Sequence, residues 1–440
     1  MKARDLFAAT ILALAAFAPQ AAGAVDVKVV PAAKGEEVWF VEDHTVPIIA
    51  MSASVPAGSA YDPAGKDGLA AMAAGLLDEG AGKMNSQAFH AALDDKAIQL
   101  SVSPNRDYIV IRLVTLTENA KEAFQLLGLA MARPRFDQDA IQRIRAQMIE
   151  SIKQDEQEPP TVASKEFTKL FFAGHPYGHP VNGELNTLPA ITQNDLRQFA
   201  RTHWVRGGMK IAVSGDVDEA ELKSLIGAAF DAIPATRPKP PPNVTRMGAP
   251  GVHVVPMPVP QPAIEFGLPG ILRSDKDFIP AYVANYILGG GGFSSQLMKE
   301  VREKRGLTYG IDTDLNTYSK AGLFAGQVAT KKESVRQTIE VVKQVMANFV
   351  DKGASAADLA DAKTYLTGSF PLAFDSNTGI AAQLNAFQRV GLAPDYITKR
   401  NDLIDAVTLD DIKRVAKRLF NPAKMTIVVG GSFDNGKSAQ

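Results

Sequence analysis

Hydrophobic and polar positions along this chain change their period from one stretch to the next. Short runs rich in β-branched or aromatic residues, several alternating apolar with polar, occupy 37–41, 47–55, 98–102 and 108–116, then 263–266, 308–317 and 322–329. They predict strands, which expose alternate side chains on opposite faces. Longer stretches with apolar residues three or four apart follow at 118–131, 138–154, 335–350 and 356–366, and predict helices. Hairpins grouped with runs of helices predict an α+β fold with mostly antiparallel sheets, rather than a Rossmann alternation. Such a sheet carries helices on one face and leaves the other partly open.

The pattern also repeats. Residues 191–218 align without gaps on residues 407–434, with Thr192/Thr408, Asp195/Asp411, Ala200/Ala416, Met209/Met425, Ile211/Ile427 and Gly215/Gly431 identical. Each copy opens with a threonine N-cap followed three residues later by an aspartate, then a helix, then a β-rich run. Between the copies, residues 234–262 hold ten of the 27 prolines, which predicts a semi-extended linker. The expected organisation is therefore a segment 1–24, a first domain 25–233, the linker 234–262 and a similar second domain 263–436.

Composition refines this picture only in places. The 440 residues, 46% hydrophobic and 22% charged, are ordinary for a soluble globular chain of two or three domains. A formal net charge of -1 gives no reason to expect nucleic acid or an acidic membrane surface as partner. Lys2 and Arg4, an apolar core from Leu6 to Phe17 and the small residues Ala22-Gly23-Ala24 have the form of a cleaved secretory signal, and place the mature chain in the periplasm. No later stretch is long and apolar enough to span a bilayer. Cysteine is absent, which excludes disulfides, thiolate zinc ligands and thiol nucleophiles.

The chemistry concentrates in Leu288 to Tyr309. Gly289, Gly290, Gly291 and Gly292 run into Phe293-Ser294-Ser295, then a helical pattern over 296–304, Gly306 as its stop, and a strand over 307–311. Four glycines leave backbone groups open to a peptide. The run lacks the lysine and hydroxyl of a phosphate-binding loop. Arg302 at the helix end and Tyr309 at the strand start converge on one surface; taken alone, such a pair reads as packing and solubility. His175 and His179 stand four apart, but prolines follow both, so they read as a structural turn rather than a metal site. Asp78-Glu79 before Gly80 reads as a solvated helix end.

This segment resembles the insulinase/pitrilysin-type zinc peptidases, in which an arginine and a tyrosine seven apart contact the substrate backbone and stabilise the tetrahedral intermediate. His175-Pro176-Tyr177-Gly178, the helix end from Phe199 to Trp204 and the strand end from Val213 to Asp216 fit the same pattern, so the resemblance covers nearly the whole chain. It implies a fold like that of the mitochondrial processing peptidase, and the glycine run is similar to the loop of that enzyme's non-catalytic subunit. The inverted His-x-x-Glu-His motif falls on Ala71, Ala74 and Gly75, with Ser151 at the third ligand position beside Glu150. No zinc is then expected on this chain. The resemblance implies a paralogous partner with an intact motif, a heterodimer closing on a peptide, and zinc in the partner. An inactive structural or peptide-binding homologue is the alternative. A stand-alone hydrolase with a relocated site is the weakest reading.

Overall fold

The computed structural model describes residues 25–32 and 34–433. Residues 1–24, which read as a secretory signal in the sequence, lie outside them. The first half contains β1 (Lys28–Pro31), β2 (Glu37–Glu42), β3 (Ile48–Val55), α1 (Leu69–Gly75), a small hairpin of β4 (Gly80–Ala81) and β5 (Met84–Asn85), and α2 (Ser86–Asp94). Then come β6 (Gln99–Pro104), β7 (Ile109–Leu116), α3 (Ala120–Ala132), α4 (Gln138–Asp155), α5 (Pro159–Phe171), α6 (Gln193–His203), β8 (Lys210–Gly215) and α7 (Glu219–Phe230). The second half contains β9 (Gly251–Val255), β10 (Ala263–Pro269), α8 (Phe278–Asn285), β11 (Ile311–Thr317), β12 (Gly322–Ala329) and α9 (Val335–Lys352). It ends with α10 (Ala356–Ser369), α11 (Asn377–Arg389), α12 (Tyr396–Asp405), α13 (Leu409–Leu419) and β13 (Thr426–Gly430).

The two sheets have the same plan. One runs β1-β2-β8-β3-β7-β6 and the other β11-β12-β10-β13-β9. With β1 set aside, β2-β8-β3-β7-β6 corresponds strand for strand to β9-β13-β10-β12-β11. In each, one pair is parallel, β2 with β8 and β9 with β13, and the rest are antiparallel. Both halves are α+β, and the repeat detected in the chain carries this symmetry. Thr192 and Thr408 each form a capping box with Asp195 and Asp411, which satisfies donors at the helix starts. Gly215 and Gly431 take nearly the same left-handed backbone, φ 143° and 146°. A Cβ at Gly215 would lie 2.2 Å from the Ile48 carbonyl oxygen, so only glycine fits this end of β8.

The predicted strands and helices are present, with two differences. The run 308–317 becomes a strand only from Ile311. The proline-rich segment is not a free linker throughout, because Gly251–Val255 pairs with β13 as an edge strand. Its start is tied to the first half. Arg206 and Gly207 donate backbone N–H groups to the Pro234 and Thr236 carbonyls.

Each sheet covers one face with helices of its own half, which forms the two main cores. The other faces are covered by an exchange. From the first half, α5 lays Ala163, Phe167 and Phe171, four residues apart, on β10 and β13 of the second sheet. The fit is close: a Cβ at Gly267 would meet the Phe167 ring at 2.7 Å, and one at Gly430 would lie 2.4 Å from the Pro159 carbonyl oxygen. From the second half, α11 packs Ile380, Leu384 and Phe387 against Trp39, Val41 and Ala212 of the first sheet. Ser214 donates its hydroxyl to Asn377 at 2.8 Å, and Asn385 donates its amide to the Lys210 carbonyl at 2.9 Å. Each large apolar side chain so buried stabilises by roughly 1.5–3 kcal/mol, so the exchange locks the halves together.

Candidate functional site

The glycine-rich segment begins where α8 widens into one π-helical turn, Tyr286–Gly290. That turn rests on β11. Thr313 donates its hydroxyl to the Asn285 side-chain oxygen at 2.8 Å, and the Asn285 amide donates back to the Thr313 carbonyl at 3.1 Å; both residues are buried. A Cβ at Gly289 would lie 2.3 Å from the Thr313 hydroxyl oxygen, and one at Gly290 would lie 2.8 Å from the Asn285 amide nitrogen. A Cβ at Gly291 would lie 2.8 Å from the Tyr286 carbonyl oxygen. Gly292 is open but adopts φ 55°. The first three glycines thus serve close packing and the fourth serves backbone conformation. Gly290 and Gly292 are the exposed members of the run, Gly291 is half-buried and Gly289 is buried. Asn285 and Thr313, which position the loop, carried no signal in the sequence.

Ser295 then caps the following helix. Its hydroxyl accepts from the Met298 amide at 3.3 Å, and its carbonyl accepts from Lys299. The helix is π-wound over Met298–Glu303. Gly306, at φ 61°, ends it by donating to the Arg302 carbonyl, as expected of a left-handed stop. The strand expected over 307–311 does not form. Gly310 donates its amide to the Thr308 hydroxyl at 3.1 Å, and that hydroxyl donates to the Ala329 carbonyl at 2.7 Å, so a local turn replaces the ladder. Tyr309 therefore stands in a connection ahead of β11, 86% exposed. The Arg302 guanidinium lies 4.5 Å above the ring of Phe293, itself 63% exposed. Among the described residues no carboxylate pairs with Arg302, and no group holds the Tyr309 hydroxyl.

On the first half, α1 carries the positions at which the resemblance implies zinc ligands. Asp62 accepts from the Gly68 and Ala70 amides at 2.8 Å and holds the helix start. Burial pushes its carboxyl up to about 7 against the pull of those amides. Ala71 and Ala74 are buried, and a Cβ on Gly75 would touch the Ile144 methyl at 3.4 Å. Ser151 is exposed on α4, next to exposed Glu150. Methyl groups and a hydrogen offer no lone pair, so Ala71, Ala74 and Gly75 fit neither zinc nor a general base.

Other candidates resolve structurally. His175 is buried: its Nδ1 accepts from the Tyr177 amide at 3.0 Å, and its Nε2 reaches the Pro242 carbonyl at 2.9 Å. His179 pairs with Asp67 at 2.7 Å. The two histidines form the turn that the prolines imply. Asp78, Glu79 and His90 offer ligand atoms within 4.8 Å of one another. Glu79, however, is 6% exposed rather than solvated, and Arg143 grips both of its oxygens. The Arg143 bond holds this carboxyl below its usual range, while burial raises that of Asp78. A fixed guanidinium on the central carboxylate opposes a cation, and the group is an ion-pair network around the buried Glu79.

The fold and this site together define a duplicated metallopeptidase scaffold that lacks the family's zinc set. Residues 37–184 match "Insulinase (Peptidase family M16)" and residues 190–366 match "Peptidase M16 inactive domain". These matches together span more than half of the chain, and it belongs to the M16 family. It is 27% identical over 350 residues to a "Non-peptidase homolog YmxG" of Helicobacter pylori, covering 79% of this chain and 80% of that protein. It is 25% identical to an "Uncharacterized zinc protease" of Streptomyces coelicolor, covering 82% and 80%. Among solved structures, the "peptidase M16 inactive domain" from Pseudomonas fluorescens superposes with TM-score 0.87 at 28% identity, covering 92% of this chain and 97% of that one. A chain of "Complex III2 from Candida albicans" shares the fold at TM-score 0.75 and 16% identity, covering 92% and 96%. Among the described residues no helix is long and apolar enough to cross a membrane.

Proposed function

We propose that this inactive-type M16 homologue is the non-catalytic, substrate-side subunit of a heterodimeric zinc peptidase acting in the periplasm. The observation that carries the reading is an exposed Tyr309 and a half-buried Arg302 in one segment, with no carboxylate on Arg302 and no group on the Tyr309 hydroxyl among the described residues, in a chain with no donors at Ala71, Ala74 and Gly75. A partner carrying His-x-x-Glu-His supplies the zinc and the base. Arg302 and Tyr309 donate to the peptide carbonyl as it becomes an oxyanion, while Gly290, Gly292 and Phe293 border the substrate. Preorganised donors of this kind change kcat by about 10²–10³-fold each.

The test mixes the purified chain with a paralogue from the same envelope that bears the zinc motif. Peptidase activity is expected from the mixture and from neither chain alone. Tyr309→Phe lowers kcat of the assembled pair by about 10²-fold. An unchanged kcat removes Tyr309 from the mechanism, and a pull-down without any zinc-motif partner favours a structural or peptide-binding homologue.

A further inference from the structure

The duplication makes two hairpin turns equivalent: residues 105–108 between β6 and β7, and residues 318–321 between β11 and β12. They meet where the two halves join. Asp107, buried, accepts from the Tyr177 hydroxyl at 2.5 Å and from the Ser319 amide at 2.8 Å, while Lys320 donates its amide to the Tyr177 oxygen at 3.1 Å. Beside this junction opens a cavity of about 950 Å³, lined among others by Arg106, Tyr108, Arg273, Tyr318 and Arg389. Asp107 is the one carboxylate in the lining.

Three arginines and one carboxylate line this cavity, and none of the three guanidinium groups has a carboxylate partner among the described residues. Aromatic rings and carbonyls hold them instead. Arg106 donates to the Tyr177 carbonyl at 3.1 Å and lies 5.5 Å from the Tyr318 ring centre. Arg273 lies 4.3 Å over Phe278 and 4.9 Å over Tyr396. The Nε of Arg389 is buried with no hydrogen-bonding protein group. Burial lowers the pKa of both Arg273 and Arg389, and the neighbouring Arg400 and Arg112 add repulsion. Unpaired buried charge is costly unless a counter-charge arrives, and the planar guanidinium suits bidentate pairing with carboxylate or phosphate. The volume is in the range of small-molecule sites, roughly 300–1,000 Å³. An overall charge of -1 conceals this local excess of two positive charges.

We infer that this cavity binds a small organic molecule carrying two or more oxyanion groups, carboxylate or phosphate. Two such groups neutralise the excess, and the aromatic rings flank its carbon skeleton. The site shares no residue with the segment from Leu288 to Tyr309 and stands whether or not that segment assists a partner's zinc.

Isothermal titration of the mature chain with citrate and with pyrophosphate, at ionic strength held constant by sodium chloride, tests it. Saturable binding of one molecule per chain is expected for at least one probe. Tighter citrate binding assigns carboxylates, and tighter pyrophosphate binding assigns phosphates. Arg389→Gln weakens the binding by about tenfold or more, the scale of one charge-assisted hydrogen bond, and Arg389→Lys weakens it less. Arg106→Gln, at a half-exposed position, gives an independent loss should Arg389→Gln fail to fold. Heat no greater than for chloride alone, or full affinity in Arg106→Gln and Arg389→Gln, overturns the inference.

Discussion

The two halves of this chain share one strand order and differ in the first helix after the central hairpin strand. In the first half α1 is a short run of small residues that ends at Gly75 and packs flush. In the second half the corresponding α8 runs on into a π turn and four glycines, which set up the exposed loop carrying Phe293. The sheets, capping boxes and left-handed glycines after β8 and β13 stayed alike, because each is demanded by backbone geometry. The segments that could carry chemistry are not so demanded, and they diverged. The exchange of α5 and α11 joins the two halves: each half covers the other's sheet.

That exchange is the strongest part of the comparison and the easiest to break. Phe167→Ala removes a fully buried ring that α5 presses on the second sheet, and costs about 3–5 kcal/mol. Denaturant unfolding of the variant is expected to stay a single transition at lower midpoint. Two separate transitions would falsify the claim that the halves are locked as one unit.

Next in size is the buried face of α1. Ala74→Glu places a carboxylate at a buried position with no charge partner at hand, and destabilises by roughly 3 kcal/mol. An unchanged thermal midpoint means that this face of α1 is open to water. On the matching helix of the second half, Gly289→Ala drives a methyl into Thr313 and costs about 1–3 kcal/mol. If the variant melts with wild type, the glycine run is not a packing device, and its openness to ligand becomes the better account.

A pH-dependent effect separates the sheets electrostatically. Glu265 on β10 lies across Gln327 from Asp312, at the place that Ser52 occupies on β3. Burial pushes its carboxyl up to about 8, with Asp312 and Asp314 adding repulsion. The unfolded chain loses this proton near the ordinary 4.5, whereas the folded chain keeps it to about 8. Between those values the folded state binds more protons, so this group lowers stability as pH rises through the window. Glu265→Gln removes that slope. Melts at about pH 5 and about pH 8 are expected to favour the variant more at the higher pH, and equal gaps at both place Glu265 in water.

Much of this was legible in the chain. Alternation marked β2, β3, β6, β7, β10 and β12, and helical period marked α3, α4, α9 and α10, because those elements bury one face on their own half. The threonine caps and the repeat exposed the duplication. The helices α5 and α11 gave no such reading, since their apolar stripes answer to a sheet encoded some hundred or more residues away. Glu79 was misread for the same reason: its partner Arg143 is distant in sequence.

The sequence by itself determined the local devices. Caps and the left-handed stops at Gly215, Gly306 and Gly431 follow from residue chemistry and spacing, and the chain itself puts groups without lone pairs at Ala71, Ala74 and Gly75. Only the tertiary structure decided which surfaces meet. It set Gly289 against Thr313, moved Tyr309 out of the strand, crossed α5 and α11 between the sheets, and gathered Arg106, Arg273 and Arg389 around one cavity. Those outcomes depend on non-local packing and on charges brought together across the fold, which neither period nor composition records.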